Sequence, residues 1–277
     1  MLWKQPSRVA KIFLMGGVYS LKTKPLQLSE GKTLFIYPLR DYARLVFSWI
    51  PEDSYLLLDL GSSAGYYTVH FAKKCKRTCG VDPNKDQIRL GKKVYPWIEF
   101  LVCAGENLPF KTEAFDTLTV CEVIEHVENE RTLLNEAHRI LKKGGTIILT
   151  TPHKGLFSFL DYDNIVYMLS KMIPSIRRVT FRGDKAGAKP GYTGPHKRYA
   201  VEELRNIMEE FFKVVEVFTS GLFLYPLAYL LAALGMIALG KNYMKYLDPF
   251  IRAIMDREYF KNYGRFSYNL AVKATKK

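Results

Sequence analysis

The sequence predicts an α/β fold, a seven-stranded and mostly parallel sheet with helical cap insertions. Three observations carry that expectation. From Tyr55 to Thr151 short apolar runs alternate with helix-like segments, the pattern of βαβ units. The first run, YLLLDL (Tyr55–Leu60), is apolar apart from one acid, as a strand covered on both faces should be. It leads straight into GSSAG (Gly61–Gly65), a turn that delivers the chain to a helix.

The remaining elements follow in order. Residues 1–53 form an N-terminal extension in which Leu34–Ile50 reads as an amphipathic helix. The core occupies 54–277. After the turn, Tyr66–Lys74 is helical, and Arg77–Val81 is a second strand ending at Asp82-Pro83, where proline helps start the next helix. Lys85–Lys93 is that helix, Ile98–Cys103 the third strand and Phe115–Val120 the fourth. Glu130–Leu141 is a helix closed by Gly144-Gly145, and Thr146–Thr151 the fifth strand. Val201–Phe211 is a helix; Lys213–Phe218 and Ser267–Lys273 complete the strands. The irregular segments 152–200 and 219–266 leave strand ends and are expected to build one cap.

Composition narrows the function classes. With 277 residues, 48% hydrophobic and 14% aromatic, the chain can bury a large core, and it lacks repeats or low-complexity tracts. The cysteines Cys75, Cys79, Cys103 and Cys121 contain no CxxC pair, which disfavours a disulfide framework or zinc knuckle and suits a reducing, cytoplasmic setting. The basic, partly apolar start has no signal-peptide pattern. Net charge is +14 and uneven: residues 54–151 hold 13 Lys/Arg against 12 Asp/Glu, whereas 152–200 hold 9 against 3. That basic excess suits anionic headgroups, phosphorylated acceptors or nucleic acid, and equally a solvated surface.

LLLDLGSSAG lets backbone approach a ligand closely at the carboxyl edge of a parallel sheet. Asp82, at the end of the second strand, is placed either to bind ribose hydroxyls or to cap the helix after it. On these residues the sequence resembles the class I S-adenosylmethionine-dependent methyltransferases, a Rossmann-like fold, and within them the type 11 group, which includes ubiquinone-pathway O-methyltransferases. The family's acid-x-Gly-x-Gly-x-Gly motif is matched by Asp59, Gly61, Ser63 and Gly65, with Ser63 in place of the middle glycine. Asp82 matches the ribose-binding acid. The adenine-side motif Asp-Ala-x-x-Leu-Pro-Phe is matched by Ala104-Gly105-Glu106-Asn107-Leu108-Pro109-Phe110, with Ala104 in place of the adenine-facing Asp. FDTLTVCEVIEHV and LKKGGTIILTTP complete a likeness covering residues 54–151. It implies S-adenosyl-L-methionine as cofactor, held by Asp59, Gly61, Ser63, Gly65, Asp82, Ala104, Gly105, Glu106 and Cys121.

CEVIEHVENE (Cys121–Glu130) places three titratable groups just past a buried strand, where they cost desolvation unless something uses them. The resemblance extends to two subgroups, one methylating catechol-like hydroxyls and one the terminal ribose of small RNAs. It implies Glu122, Glu125, His126 and His196 as catalytic residues and as ligands of a divalent metal such as Mg2+. Such a cation would lower the pKa of an attacking hydroxyl. Three readings of the residues stay open beside it: His126 as a metal-free base, Glu125 as a helix cap, and a structural fold over the cofactor. His153 is a pocket-edge or a surface histidine, and His70 and His138 pack or face water.

Gly221–Gly240 holds twenty residues without a charge, but Pro226, Gly235 and Gly240 interrupt it and the last strand must return beside its neighbour. The expectation is a cap touching a lipid-like acceptor or an anionic membrane surface, peripheral on the inner face; burial in the domain or in a homodimer is the alternative. The expected function is O-methylation of a hydrophobic or lipid-linked acceptor. An RNA 2′-O-methyltransferase and a non-catalytic scaffold of the same fold are the alternatives; RNA is disfavoured because no RNA-binding module is recognisable.

Overall fold

The computed structural model describes the backbone of residues 25–27 and 33–35, together with residues 42–156, 158, 197–222, 258 and 260–277. Among them seven strands form one sheet: β3 (Leu56–Leu60), β4 (Arg77–Asp82), β5 (Glu99–Val102), β6 (Phe115–Cys121), β7 (Leu141–Pro152), β8 (Phe212–Ser220) and β9 (Asn269–Lys276). Their order is β5-β4-β3-β6-β7-β9-β8. Every neighbouring pair is parallel except the two that include β9, which runs antiparallel to β7 and to β8. The carboxyl ends of β3, β4, β6, β7 and β8 therefore share one edge, and the strand order reverses between β3 and β6. In an open α/β sheet that reversal opens the ligand crevice.

Period-two alternation sorts the core. Leu58, Leu60, Leu118, Val120, Ile147, Leu149, Leu270 and Val272 point to one face, against α4 (Glu130–Ile140) and α5 (Val201–Glu209). Leu57, Ile148 and Ala271 point to the other, against Val46, Trp49 and Ile50 at α1 (Tyr42–Trp49). Below the same face, Ile88 of α3 (Lys85–Val94) meets Val69 of α2 (Thr68–Phe71) and Phe100 of β5. Asn84 caps α3, accepting from the Asp86 and Gln87 amides, and Asn129 caps α4, accepting from the Thr132 amide. The helix-cap alternatives for Asp82 and Glu125 are thus filled by neighbouring asparagines.

Three expectations change. The helix expected over Leu34–Ile50 is α1 alone, because Thr33–Phe35 pairs with Pro25–Gln27 as the antiparallel strands β2 and β1. The helix before Gly144-Gly145 ends at Ile140. Leu141 turns extended and begins β7 opposite Phe115, and Gly144 sits inside the strand at φ 70°, beside a register shift in β6. β8 continues to Ser220, so the second insertion begins after it. The bulk of both cap insertions, including residues 223–240, and His196 lie outside the described residues. Among the described residues no helix is long and apolar enough to cross a membrane.

Leu118 is fully buried in the larger cluster, between β3 and β7. Leu118→Ala should lower unfolding stability by about 2–5 kcal/mol in urea titrations. A loss below about 1 kcal/mol would mean that this face is not close-packed.

Candidate functional site

The glycine turn after β3 is a backbone construction. Gly61 (φ 79°), Ser63 (φ 49°) and Gly65 (φ 83°) all lie in the left-handed region. The Gly61 and Ser62 amides both donate to the Val81 carbonyl at 2.8 and 2.9 Å, and the Gly65 amide donates to the Ser62 carbonyl. A side chain at Gly61 would collide with Val123 Cγ2, and one at Gly80 would stand 2.7 Å from Ser62 Oγ and from the Phe100 ring. The turn is thereby pressed onto the end of β4 on one side and the chain leaving β6 on the other. Ser63 adopts the left-handed conformation in place of the family's middle glycine, at some conformational cost.

Two carboxylates hold this turn. Asp82 Oδ2 accepts from the Ser63 amide at 2.9 Å and Oδ1 from the Asn84 amide at 2.8 Å. Each oxygen has a second lone-pair site, so Asp82 retains acceptor capacity for ligand hydroxyls. Asp59 is 3% exposed, and both its oxygens are engaged: Oδ2 accepts from Thr68 Oγ1 at 2.5 Å, Oδ1 from Thr119 Oγ1 at 2.7 Å. It therefore joins β3, β6 and the first residue of α2. Burial pushes its pKa from 3.8 up to about 6, against the two threonine bonds, with Asp82 adding to the rise.

In the stretch expected to face adenine, Ala104 is exposed beside Val102, which is 49% exposed, and Glu106 is partly exposed. Gly105 is buried because a side chain there would collide with Leu133 of α4. The loop that follows is clamped by α4. The Leu108 amide donates to Glu136, while Arg139 donates to the carbonyls of Leu108 and Phe110 and pairs with Glu136. Cys121 closes β6, and burial holds its thiol pKa well above 9.0. All four cysteines are free thiols.

The acidic cluster divides. Glu122 has a left-handed backbone (φ 54°) and accepts from Thr150 Oγ1 at 2.8 Å. Glu125, on the 3-10 turn Ile124–His126, accepts from Thr151 Oγ1 at 3.1 Å, and its side chain is 1% exposed. Thr150 and Thr151, which hold these two carboxylates, are consecutive strand residues at the end of β7. The described residues contain no group of three or more His, Cys, Asp or Glu placed to hold a metal ion. The described residues thus give no support to the Mg2+ expected at Glu122, Glu125 and His126, and His196, the fourth expected ligand, lies outside them. His126 has a side chain 48% exposed, with Nε2 3.8 Å from Glu125 Oε1, and burial lowers its pKa.

Sequence reasoning missed the supports: Thr68, Thr119, Thr150, Thr151 and Tyr199. The Tyr199 hydroxyl lies 2.9 Å from Glu130 Oε1 and 3.2 Å from the Ile124 carbonyl, behind the His126 turn. Its backbone bonds Pro152 and Lys154, joining the two ends of the first insertion. The doublet Thr150-Thr151 at a strand end was the available signal. His153 is no surface histidine, being 4% exposed. His70 is buried, and His138 packs edge-on to Phe212.

Known proteins place this site in context. Residues 58–149, a third of the chain, match the methyltransferase-domain family Methyltransf_11. An uncharacterized protein of Methanocaldococcus jannaschii is 38% identical over 89 residues, 32% of this chain and 42% of that protein. A demethylmenaquinone methyltransferase of Streptomyces griseus is 25% identical over 187 residues, 66% of this chain and 77% of that protein. The chain thus spans less than half of the first relative and about three quarters of the second. Among solved structures, a SAM-dependent methyltransferase of Thermotoga maritima superposes with a TM-score of 0.53 at 22% identity, over 86% of this chain and 88% of that one. That likeness establishes the Rossmann-like class I methyltransferase fold.

The raised Asp59 pKa has a pH signature. The folded state holds the proton more tightly than the unfolded chain. Stability from the protonated carboxyl is therefore fully present below the ordinary value of 3.8 and is lost as pH rises through about 6. At ~1.4 kcal/mol per unit, the loss is about 3 kcal/mol. Relative to wild type, Asp59→Asn should gain about that much between pH 4 and pH 7 in denaturant titrations. A constant difference would contradict the burial of a titrating acid.

Proposed function

From the premise of a methyltransferase domain at residues 58–149, we propose that this chain transfers a methyl group from S-adenosylmethionine to a hydroxyl of an apolar or lipid-like acceptor. The observation that carries the reading is the joining of the left-handed turn Gly61–Gly65 to Asp82 at the carboxyl edge, 2.9 Å from the Ser63 amide to the carboxylate. The turn offers close backbone approach, and Asp82 offers acceptors for ribose hydroxyls. Gly105, Glu106 and the exposed apolar surface at Val102 and Ala104 flank the place for a base. When bound, the cofactor supplies an electrophilic sulfonium methyl.

The chain's own part in transfer is alignment and proton removal. His126 stands past β6 at the same edge, half-exposed, with its pKa below 6.5, so it is neutral at pH 7 and able to accept a proton. The Glu125 carboxylate, fixed by Thr151 and 3.8 Å from Nε2, stabilises the imidazolium that results. Glu122 is tied to Thr150. This is the metal-free reading, with His126 as base. The similarity to a demethylmenaquinone methyltransferase supports an apolar acceptor, as does the uncharged Gly221–Gly240 segment.

Two measurements test the assignment. Asp82→Ala should weaken S-adenosylhomocysteine binding in calorimetry by about tenfold to a hundredfold, the worth of charged hydrogen bonds. His126→Ala should bind it normally and lower labelled-methyl transfer by about a hundredfold or more. In wild type, transfer should fall as pH drops through a midpoint below 6.5, because His126 then becomes protonated; the variant should lack that limb. Equal loss of cofactor binding in both variants would overturn the division of roles.

A further inference from the structure

A cleft of about 490 Å3 opens at the carboxyl ends of β7 and β8, beside the start of α5. Its volume falls within the range of small-ligand pockets. Six polar residues line it: His153, Lys154, Glu202, Thr219, Asn262 and Arg265. They come from four segments fixed by backbone bonds. His153 donates its amide to Tyr268, Lys154 to Tyr199, Leu156 to Arg265, and Tyr263 to Thr219.

The hydrogen-bonding capacity of this wall is specific. His153 is 96% buried, and its Nδ1 lies 3.0 Å from the Ser267 carbonyl. A carbonyl only accepts, so Nδ1 carries the proton. Burial keeps the imidazole neutral, which leaves Nε2 an acceptor without a partner among the described residues. Asn262 Oδ1 accepts from Thr219 Oγ1 at 2.8 Å and from the Gly264 amide at 2.9 Å. Its NH2 group is therefore left to donate. Lys154 and Arg265 have no carboxylate partner among the described residues, and Arg265 rests on the Phe266 ring. Glu202 likewise has no cation partner among them. The lining thus offers two cations and an amide donor for an anion, and two acceptors for hydroxyl protons.

From this array we propose that the cleft binds a phosphate carrying neighbouring hydroxyls: its oxygens meet Lys154, Arg265 and the Asn262 amide, and its hydroxyls donate to His153 and Glu202. The same chemistry is offered by a free polyol phosphate and by the headgroup of phosphatidylglycerol.

Calorimetry on the full chain, without methyl donor, tests this separately from catalysis. sn-Glycerol 3-phosphate should bind about tenfold more tightly than inorganic phosphate, because only the former supplies hydroxyl donors. Lys154→Ala combined with Arg265→Ala should weaken it by about tenfold or more at an unchanged Tm. His153→Gln should narrow the preference over inorganic phosphate; because His153 is buried, the surface double substitution decides if that variant does not fold. Phosphatidylglycerol vesicles that compete with the free compound assign the headgroup as ligand; vesicles that do not compete assign the free polyol phosphate. No binding of glycerol phosphate at millimolar concentration, equal affinity for inorganic phosphate, or an unaffected double variant would overturn the proposal.

Discussion

The site depends on a buried carboxylate behind the glycine turn. Asp59 accepts hydrogen bonds from the Thr68 and Thr119 hydroxyls, which ties the end of β3 to its neighbour β6 and to the helix beyond the glycine turn. A charged group at 3% exposure is costly, and its pKa near 6 records that cost. The compensation is geometric. With both ends of the turn fixed, Gly61, Ser63 and Gly65 are held in left-handed conformations that backbone entropy alone would not maintain. Asp82 is then free to divide its oxygens between the turn and the start of α3 while keeping acceptor sites open.

A second constraint comes from two adjacent threonines. Thr150 donates to Glu122 and Thr151 to Glu125, so the end of β7 fixes both carboxylates of the stretch that follows β6. Glu125 is thereby held buried, 3.8 Å from His126 Nε2. Tyr199 extends that support, since it touches Glu130 and the Ile124 carbonyl while its backbone ties the insertion's two ends together.

Much of this was legible in the sequence wherever a short-range physical rule governs. The parallel strands announced themselves by apolar runs, and the turn by Gly61 and Gly65. The failures have a common cause: spacing along the chain does not give facing in space. CEVIEHVENE gives no local sign of its backbone, in which Glu122 has φ 54° and Ile124–His126 is a single 3-10 turn. Gly144-Gly145 looks like a helix stop, yet Leu141 already pairs with Phe115 and the glycines bend a strand. His153 looks exposed beside Pro152, but pairing with Tyr199 and Tyr268 draws it under the surface. Tertiary partners decide such positions, and a single sequence does not display them.

The central claim is that the Gly61–Gly65 turn and Asp82 grip a sulfonium nucleoside at the carboxyl edge. A crystal structure of the chain with S-adenosylhomocysteine tests it most directly. The ribose hydroxyls should lie on the Asp82 carboxylate, the amino-acid portion over the turn, and the sulfur should be directed toward His126. A nucleoside bound elsewhere, or electron density that leaves the Asp82 carboxylate without a ribose contact, would contradict it.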